Sequence, residues 1–300
     1  VAADVVPRRP DEPVGGSPAR PAPRQISLFR TAVLSHYRTS GRTFPWRQTS
    51  DPYEILVSEF MLQQTQVGRV ERAYPRFLSR FPTIRQLAEA SVEEVIRAWR
   101  GLGYDRRALR LKRTAEILME KGGGRVPADV DALRALPGVG RATAGAVAAF
   151  AFGAAHPFLE TNIRAAVIHH FFPLNGRVND REILLLVEAT LDREHPREWY
   201  YALMDYGSHL KRVHRGLGRR AGSYRAQGAF SGSTRELRSI LLQRILDEPG
   251  VCAALLLSLD PAGPDGSRGA DGAGTRAGAV LDQLRREGFV VEEEGCYRPA

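Results

Sequence analysis

Leu136-Pro137-Gly138-Val139-Gly140-Arg141-Ala142-Thr143-Ala144-Gly145 is the stretch on which the fold turns. Before it, residues 129–135 read as a short helix. After it, residues 141–152 carry Ala or Gly at most positions and read as a helix able to pack closely against neighbours. The glycines permit a tight turn and close backbone approach. The chain then enters a helix whose first N–H groups lack intrahelical partners, an arrangement that binds a phosphate with no side chain required. A lone Gly-x-Gly occurs in many helix–helix turns. The whole hydrophobic-Pro-Gly-Val-Gly string between two helices is far more specific.

Outward from this joint the pattern stays helical. Residues 53–67 read as one helix, with Ile55, Leu56, Phe60, Leu62 and Val67 at apolar positions. Thr83 and Ser91 read as N-caps, and Ser91 with Glu94 forms a capping box. Helices are expected at 105–121, stopped by Gly122-Gly123-Gly124, and at 161–171, 180–194 and 197–211, with no strand before residue 288. Residues 1–24 read as a disordered Pro/Arg-rich arm and residues 216–232 as a basic, Gly-rich linker. Past it lie expected helices at 234–247, 251–259 and 276–287, a disordered low-complexity loop near 261–274, and a hairpin turning at Glu293-Glu294-Gly295. Three helices followed by a hairpin is the order of a winged-helix module, which makes 233–300 a winged-helix-like domain. The alternative is an appendage that packs on the body without touching DNA.

Composition narrows the classes. The chain has 300 residues, 43 Lys+Arg against 34 Asp+Glu, and a formal net charge of +9; 40 of the basic residues are arginine. A hydrophobic fraction of 43% supports a full core. No run of about 18 apolar residues exists, so no membrane span is expected. Residues 1–24 lack the apolar core of a signal peptide, and a cytoplasmic, nucleoid-associated location is expected. The positive charge fits a polyanionic partner, and equally a soluble arginine-rich protein. Two cysteines, Cys252 and Cys296, cannot make a disulfide framework or a four-thiolate metal site.

One acid stands out. Glu59 sits among apolar residues in Ser58-Glu59-Phe60-Met61-Leu62-Gln63-Gln64-Thr65-Gln66-Val67, with Gln63 one helical turn on. A carboxyl in apolar surroundings holds its proton to higher pH and can donate it. Chemistry alone favours the plainer alternative, a Glu paired with one of the many arginines.

That string, together with Phe44-Pro45-Trp46-Arg47, Asp51-Pro52-Tyr53, Gly101-Leu102-Gly103-Tyr104 and Leu136-Pro137-Gly138-Val139-Gly140 in this order, resembles the MutY-type adenine DNA glycosylases of the helix-hairpin-helix superfamily. Endonuclease III is the nearest relative of that group. The resemblance covers the chain from about Ser27 to Leu210. It implies a mainly α fold, a two-lobed helix-hairpin-helix body over 25–215. It also implies a monofunctional N-glycosylase of base excision repair that flips a mispaired base, most often adenine opposite guanine or 8-oxoguanine, out of duplex DNA and hydrolyses its glycosidic bond. Alternatives are a glycosylase for thymine, uracil or a modified purine, and a non-catalytic DNA-binding protein. A monomer acting on double-stranded DNA, with no membrane partner, is expected.

The resemblance also assigns residues. Glu59 falls on the acid that protonates the base. Glu160, in Phe158-Leu159-Glu160-Thr161-Asn162-Ile163-Arg164, falls on the carboxylate that steadies the sugar cation, where the family usually has Asp. The plainer alternative for Glu160 is a carboxylate that favours a helix N-terminus. Gln63 and Gln64 match residues beside the flipped base, and Tyr104 an aromatic wedge beside the opposite base. Leu136, Gly138, Val139, Gly140, Arg141 and Thr143 belong to the phosphate-gripping turn, and Asn162, beside Glu160, is a further expected substrate or DNA contact. Ala142 stands where endonuclease III carries the lysine that forms a Schiff base, so strand cleavage is not expected.

Two departures accompany the match. Family members usually continue past Met204-Asp205-Tyr206-Gly207 into four cysteines holding a [4Fe–4S] cluster. Here the chain reads Ser208-His209-Leu210-Lys211-Arg212-Val213-His214-Arg215-Gly216-Leu217-Gly218-Arg219-Arg220, without a thiol. No cofactor and no metal are therefore expected, and Lys211 and Arg212 open a basic run suited to phosphate contacts. The second departure is the C-terminal region, which is too short for the Nudix-like domain that reads 8-oxoguanine in bacterial members.

Overall fold

A computed structural model of the chain describes residues 21–172, 176–226, 228–260 and 276–300. The loop expected near 261–274 and most of the arm expected over 1–24 lie outside the described residues. In chain order the helices are α1 (Pro23–Ser40), α2 (Pro52–Leu62), α3 (Val67–Arg80), α4 (Ile84–Glu89), α5 (Val92–Trp99), α6 (Arg106–Gly122), α7 (Val130–Arg134), α8 (Arg141–Phe152), α9 (Thr161–Phe171), α10 (Asp180–Thr190), α11 (Pro196–Val213), α12 (Thr234–Asp247), α13 (Ala253–Ser258) and α14 (Arg276–Arg286). Three short strands, β1 (Val251–Cys252), β2 (Val290–Glu293) and β3 (Cys296–Pro299), form an antiparallel sheet in the order β1-β3-β2. No helix among the described residues is long and apolar enough to cross a membrane.

The chain divides into two compact units, Val1–Arg42 with Ala155–Arg225, and Thr43–Ala154 with Ala226–Ala300. The second is built around α2. Asp51 caps this helix by accepting from Tyr53 N at 2.7 Å and Glu54 N at 3.1 Å, with Pro52 in the first turn. Tyr53, Ile55, Leu56, Val57, Phe60 and Met61 are all buried, so α2 has no single apolar stripe and runs through the core. The Ala- and Gly-rich α8 packs against it. Ser91 and Glu94 form the expected capping box of α5, and Gly123, at φ 58°, ends α6.

The expected single helix over 53–67 is two. Helix α2 stops at Leu62, Gln64 takes a left-handed φ of 55°, and α3 restarts at Val67. The break has no Gly or Pro to announce it. It is stabilised by Arg107, whose guanidinium binds the carbonyls of Phe60, Met61 and Gln63 at the end of α2. The expectation of no strand before residue 288 also fails, because Val251 and Cys252 form β1 opposite Tyr297 and Cys296.

Residues 234–300 complete the same unit. Leu237, Leu241, Ile245, Leu256, Val280, Leu281, Leu284, Phe289 and Tyr297 form their core. They are tied to the helices beneath by Arg97, which caps the Leu246 carbonyl, by an Arg100–Asp247 pair at 3.0 Å, and by Glu287, which receives Arg106 and Arg238. Arg238 also lies 4.7 Å over the Phe289 ring. In the first unit, α9 packs against α11 and α1 against α11. Gly207 makes the first contact possible: a Cβ there would fall 1.9 Å from the Asn162 carbonyl oxygen.

Candidate active site

The turn between α7 and α8 is anchored on its inner side and open on its outer side. Leu136 and Val139 are 8% and 5% exposed, so their side chains belong to the core. Gly138 has φ 80°, and a Cβ there would stand 2.9 Å from Phe60 and 3.0 Å from Arg110. Only glycine satisfies both demands. Thr114 donates to the Pro137 carbonyl at 3.0 Å, and Gln63 donates to Gly138 O at 3.2 Å and to the Thr143 hydroxyl at 3.1 Å. Gly140, the N-cap of α8, supplies no capping side chain, and Gly140 and Arg141 are exposed. The first N–H groups of α8 therefore receive no cap from their own N-terminus and sit beside a positive charge, as an anion site requires. Ala142 occupies the first turn of that helix.

Glu59 lies half-buried on α2, one turn before Gln63. Because the Gln63 amide grips the turn, the acid and the anion-binding backbone are fixed relative to each other. Gln64 is exposed in its left-handed conformation. Tyr104 is the second non-glycine residue of this region with positive φ, at 51°, and is 38% exposed. Such conformations cost about 1–2 kcal/mol and persist only where surroundings enforce them.

Arg107 is the enforcer, and the sequence reading missed it. It is 6% exposed. Besides the end of α2 it donates to the Thr65 hydroxyl at 2.9 Å and to the carbonyls of Gly103 at 2.7 Å and Tyr104 at 3.3 Å, while stacking 5.3 Å from Trp99. One guanidinium thus ties the Gln63–Thr65 loop to the Gly103–Tyr104 loop. Burial pushes its pKa down to about 10, so it remains charged at neutral pH. A signal existed: Arg107 shares the 3–4 residue spacing of the buried Leu111, Thr114 and Leu118 on α6.

In the first unit, Glu160 is the N-cap of α9. Its carboxylate accepts from Asn162 N and Ile163 N, both at 2.8 Å, from the Asn162 side-chain amide at 3.1 Å and from the Thr161 hydroxyl at 3.1 Å. The longer side chain still closes the cap, with its own backbone extended at φ −131° and ψ 175°. Asp205 is 2% exposed and receives the backbone N–H of Arg42 at 2.8 Å and its guanidinium at 2.6 Å.

In the last turn of α11, Lys211 is half-buried and Arg212 exposed. The chain then turns back on itself: Val178 N donates to Arg220 O and Gly222 N to Val178 O, both at 2.8 Å, while Leu217 is buried. The Arg220 side chain donates to Phe172 O at 2.7 Å, so it serves the fold. His209 meets the His36 ring at 4.7 Å and His214 the His169 ring at 4.5 Å. No group of three or more His, Cys, Asp or Glu among the described residues could hold a metal ion. The chain's two cysteines lie instead on β1 and β3, facing each other with sulfurs 3.3 Å apart. The donors present here do not fit a four-thiolate iron–sulfur cluster.

A half-buried acid on α2 thus stands one turn from Gln63, which grips the turn between α7 and α8. Residues 57–191 match the profile described as "HhH-GPD superfamily base excision DNA repair protein". The adenine DNA glycosylase of Mycobacterium tuberculosis is 36% identical over 248 residues, which span 75% of this chain and 80% of that protein. The thymine/uracil-DNA glycosylase of Pyrobaculum aerophilum is 35% identical over 186 residues, 59% of this chain and 80% of that one. The solved structure of a thermostable thymine-DNA glycosylase superposes with a TM-score of 0.56 at 29% identity, over 62% of this chain and 87% of that chain. The chain belongs to the helix-hairpin-helix HhH-GPD superfamily of base excision DNA repair proteins.

Proposed function

We propose that this chain is a monofunctional DNA N-glycosylase of the MutY type, which removes adenine mispaired with guanine or 8-oxoguanine from duplex DNA. The observation that carries this is that Gln63, one helical turn from Glu59 on α2, donates to Gly138 O and to the Thr143 hydroxyl of the turn. A protein that only binds DNA has no need of an acid at that point. The 36% identity to the mycobacterial adenine DNA glycosylase supports adenine as the base.

The turn at 138–141 holds a backbone phosphate by N–H donors, fixing the register of the duplex. The exposed Gln64 and Tyr104 lie on the loops that approach the bases. Glu59 delivers its proton to the purine ring, so the departing base leaves neutral as the glycosidic C–N bond breaks. The sugar becomes oxocarbenium-like, and water adds to the sugar carbon as its proton passes to the Glu59 carboxylate left by the first step. Ala142 offers no amine, so no Schiff base forms and the strand stays intact. The protein acts as a monomer, and no cofactor takes part.

The test is a panel of duplexes carrying A·G, A·8-oxoguanine, T·G and U·G, incubated with the protein and treated with hot alkali. Adenine release, with breaks appearing only after alkali, is the expected result. Release of thymine or uracil alone would favour the second reading, which rests on the 35% identity to the Pyrobaculum enzyme. Release from none of the four duplexes overturns both.

A further inference from the structure

Cys252 and Cys296 are the only two thiols of the chain. They lie 44 positions apart in sequence and side by side in the sheet. Cys252 closes β1, Cys296 opens β3, and the two are register partners with sulfurs 3.3 Å apart. Ala253 N donates to Gly295 O at 2.8 Å, which makes Cys252 and Cys296 a non-hydrogen-bonded pair of the ladder. Such a pair brings its Cα atoms to about 4.5 Å and its side chains closest together. That separation lies inside the range a disulfide spans.

Cys252 is exposed and Cys296 half-buried, so a small solute reaches both. The Cys296 thiol is pushed above its ordinary pKa, chiefly by its hydrogen bond with Cys252. Cys296 therefore keeps its proton near neutral pH, and the exposed Cys252 is the sulfur that meets an oxidant first. Glu294 adds negative charge beside Cys296. A small neutral oxidant, a hydroperoxide, suits this place better than an anionic one.

The pair stands where a bond would matter. Strand β1 is two residues long, lies at the edge of the sheet and pairs with β3 alone. Just before it, the end of α12 is held to the helices beneath through Leu246 and Asp247. A bond between the sulfurs would close the chain from 252 to 296 into a loop containing α13, α14 and β2. Closing a loop of that length removes open states in which β1 parts from β3.

We propose that Cys252 and Cys296 form a reversible oxidation site for hydroperoxides, whose disulfide fastens β1 to β3 and staples the C-terminal region. This stands independently of the function proposed above. With hydrogen peroxide, the Cys252 thiolate attacks one oxygen, the O–O bond breaks, and a sulfenic acid forms as the other oxygen leaves as water. The Cys296 sulfur then attacks the Cys252 sulfur. The S–O bond breaks, the S–S bond forms, and the departing hydroxide takes up the Cys296 proton as a second water. Two thiols have lost two electrons and two protons, and one peroxide has become two waters. An exposed disulfide is open to thiolate attack, which returns the pair to the dithiol.

The test uses the full-length reduced protein and hydrogen peroxide. The intact mass should fall by two hydrogens, a proteolytic digest should yield a peptide joining Cys252 to Cys296, and dithiothreitol should restore both thiols. In Cys296→Ser the second step is blocked, so dimedone should trap sulfenic acid at Cys252, at least about tenfold more than in the unsubstituted protein. Hydrogen exchange of the amides at 251–253 and 295–297 should slow by about tenfold or more in the oxidised protein, since opening of β1 is what the bond forbids. Sulfinic acid without the linked peptide, or disulfides only between molecules, would overturn the proposal. Unchanged exchange in a protein carrying the linked peptide would overturn the staple, because β1 would then open no less freely than before.

Discussion

The turn at residues 136–140 and the stretch at 211–222 are both suited to DNA phosphates, and they are held in opposite ways. The first is gripped by side chains from elsewhere, Thr114 and Gln63, and leaves its backbone donors outward. The second is closed by its own backbone on Val178 and leaves charged side chains such as Arg212 outward. A backbone site demands one geometry, so it needs glycine at Gly138 and tolerates little. A side-chain site only needs charge within reach, so it tolerates exchange and depends on salt. The same contrast explains how the segment after α11 can close without the four thiolates usual in the family: its place is kept by two backbone hydrogen bonds, the buried Leu217 and the Arg220 side chain.

The sharpest way to break the contrast is to remove the group that fixes the loops beside the turn. Arg107→Ala leaves the carbonyls of Phe60, Met61 and Gln63 without their donor in a buried place. We expect a loss on the order of 3 kcal/mol in a urea titration. If Arg107→Ala proves neutral, these loops do not depend on it. Gly138→Ala comes next. It forces a left-handed alanine, costing about 1–2 kcal/mol, and sets its Cβ 2.9 Å from Phe60. Duplex affinity should fall with a salt slope close to that of the unsubstituted protein, because backbone donors release few counterions.

The double change Lys211→Ala and Arg212→Ala should do the reverse. Folding should hold, while the slope of log affinity against log salt should fall by roughly 1 for each phosphate that is no longer neutralised. An unchanged slope would make this run a solvated surface. The smallest effect concerns acid. In the first unit, burial and His169 push His170 down to about 4; His169 is lowered by burial, His214 and Arg220. His36 is lowered by burial and His209, against the opposing pull of Asp205. The unfolded chain takes up these protons near pH 6.5, where the native state does not. Their contribution to stability is therefore full above pH 6.5 and is lost as the pH falls toward 4. His170→Asn should flatten the fall of Tm across that window.

Much of this was legible in the sequence because it rests on local chemistry. The turn at 136–140 requires glycine at Gly138, Ser91 with Glu94 writes its own cap, and the boundaries of α8, α9 and α12 follow from residues at their ends. What was not legible depends on distant partners. The break at 63–66 interrupts a continuous apolar period, and its cause, Arg107, lies some 40 residues on. Strand β1 has two residues, too few for alternation to show, and exists only where β3 comes to pair with it. The two cysteines counted against a disulfide framework, and only the pairing of β1 with β3 shows them as neighbours. The acid at Glu59 could be singled out by resemblance, but the grip of the neighbouring Gln63 on the turn needed the fold.

The central claim is that Glu59 is the acid of a base-releasing site. Its most direct test is the single-turnover rate of adenine release from an A·8-oxoguanine duplex by Glu59→Gln, with duplex affinity measured alongside. We expect the rate to fall by about 10²–10⁴-fold at unchanged affinity. Release as fast as that of the unsubstituted protein would contradict the account.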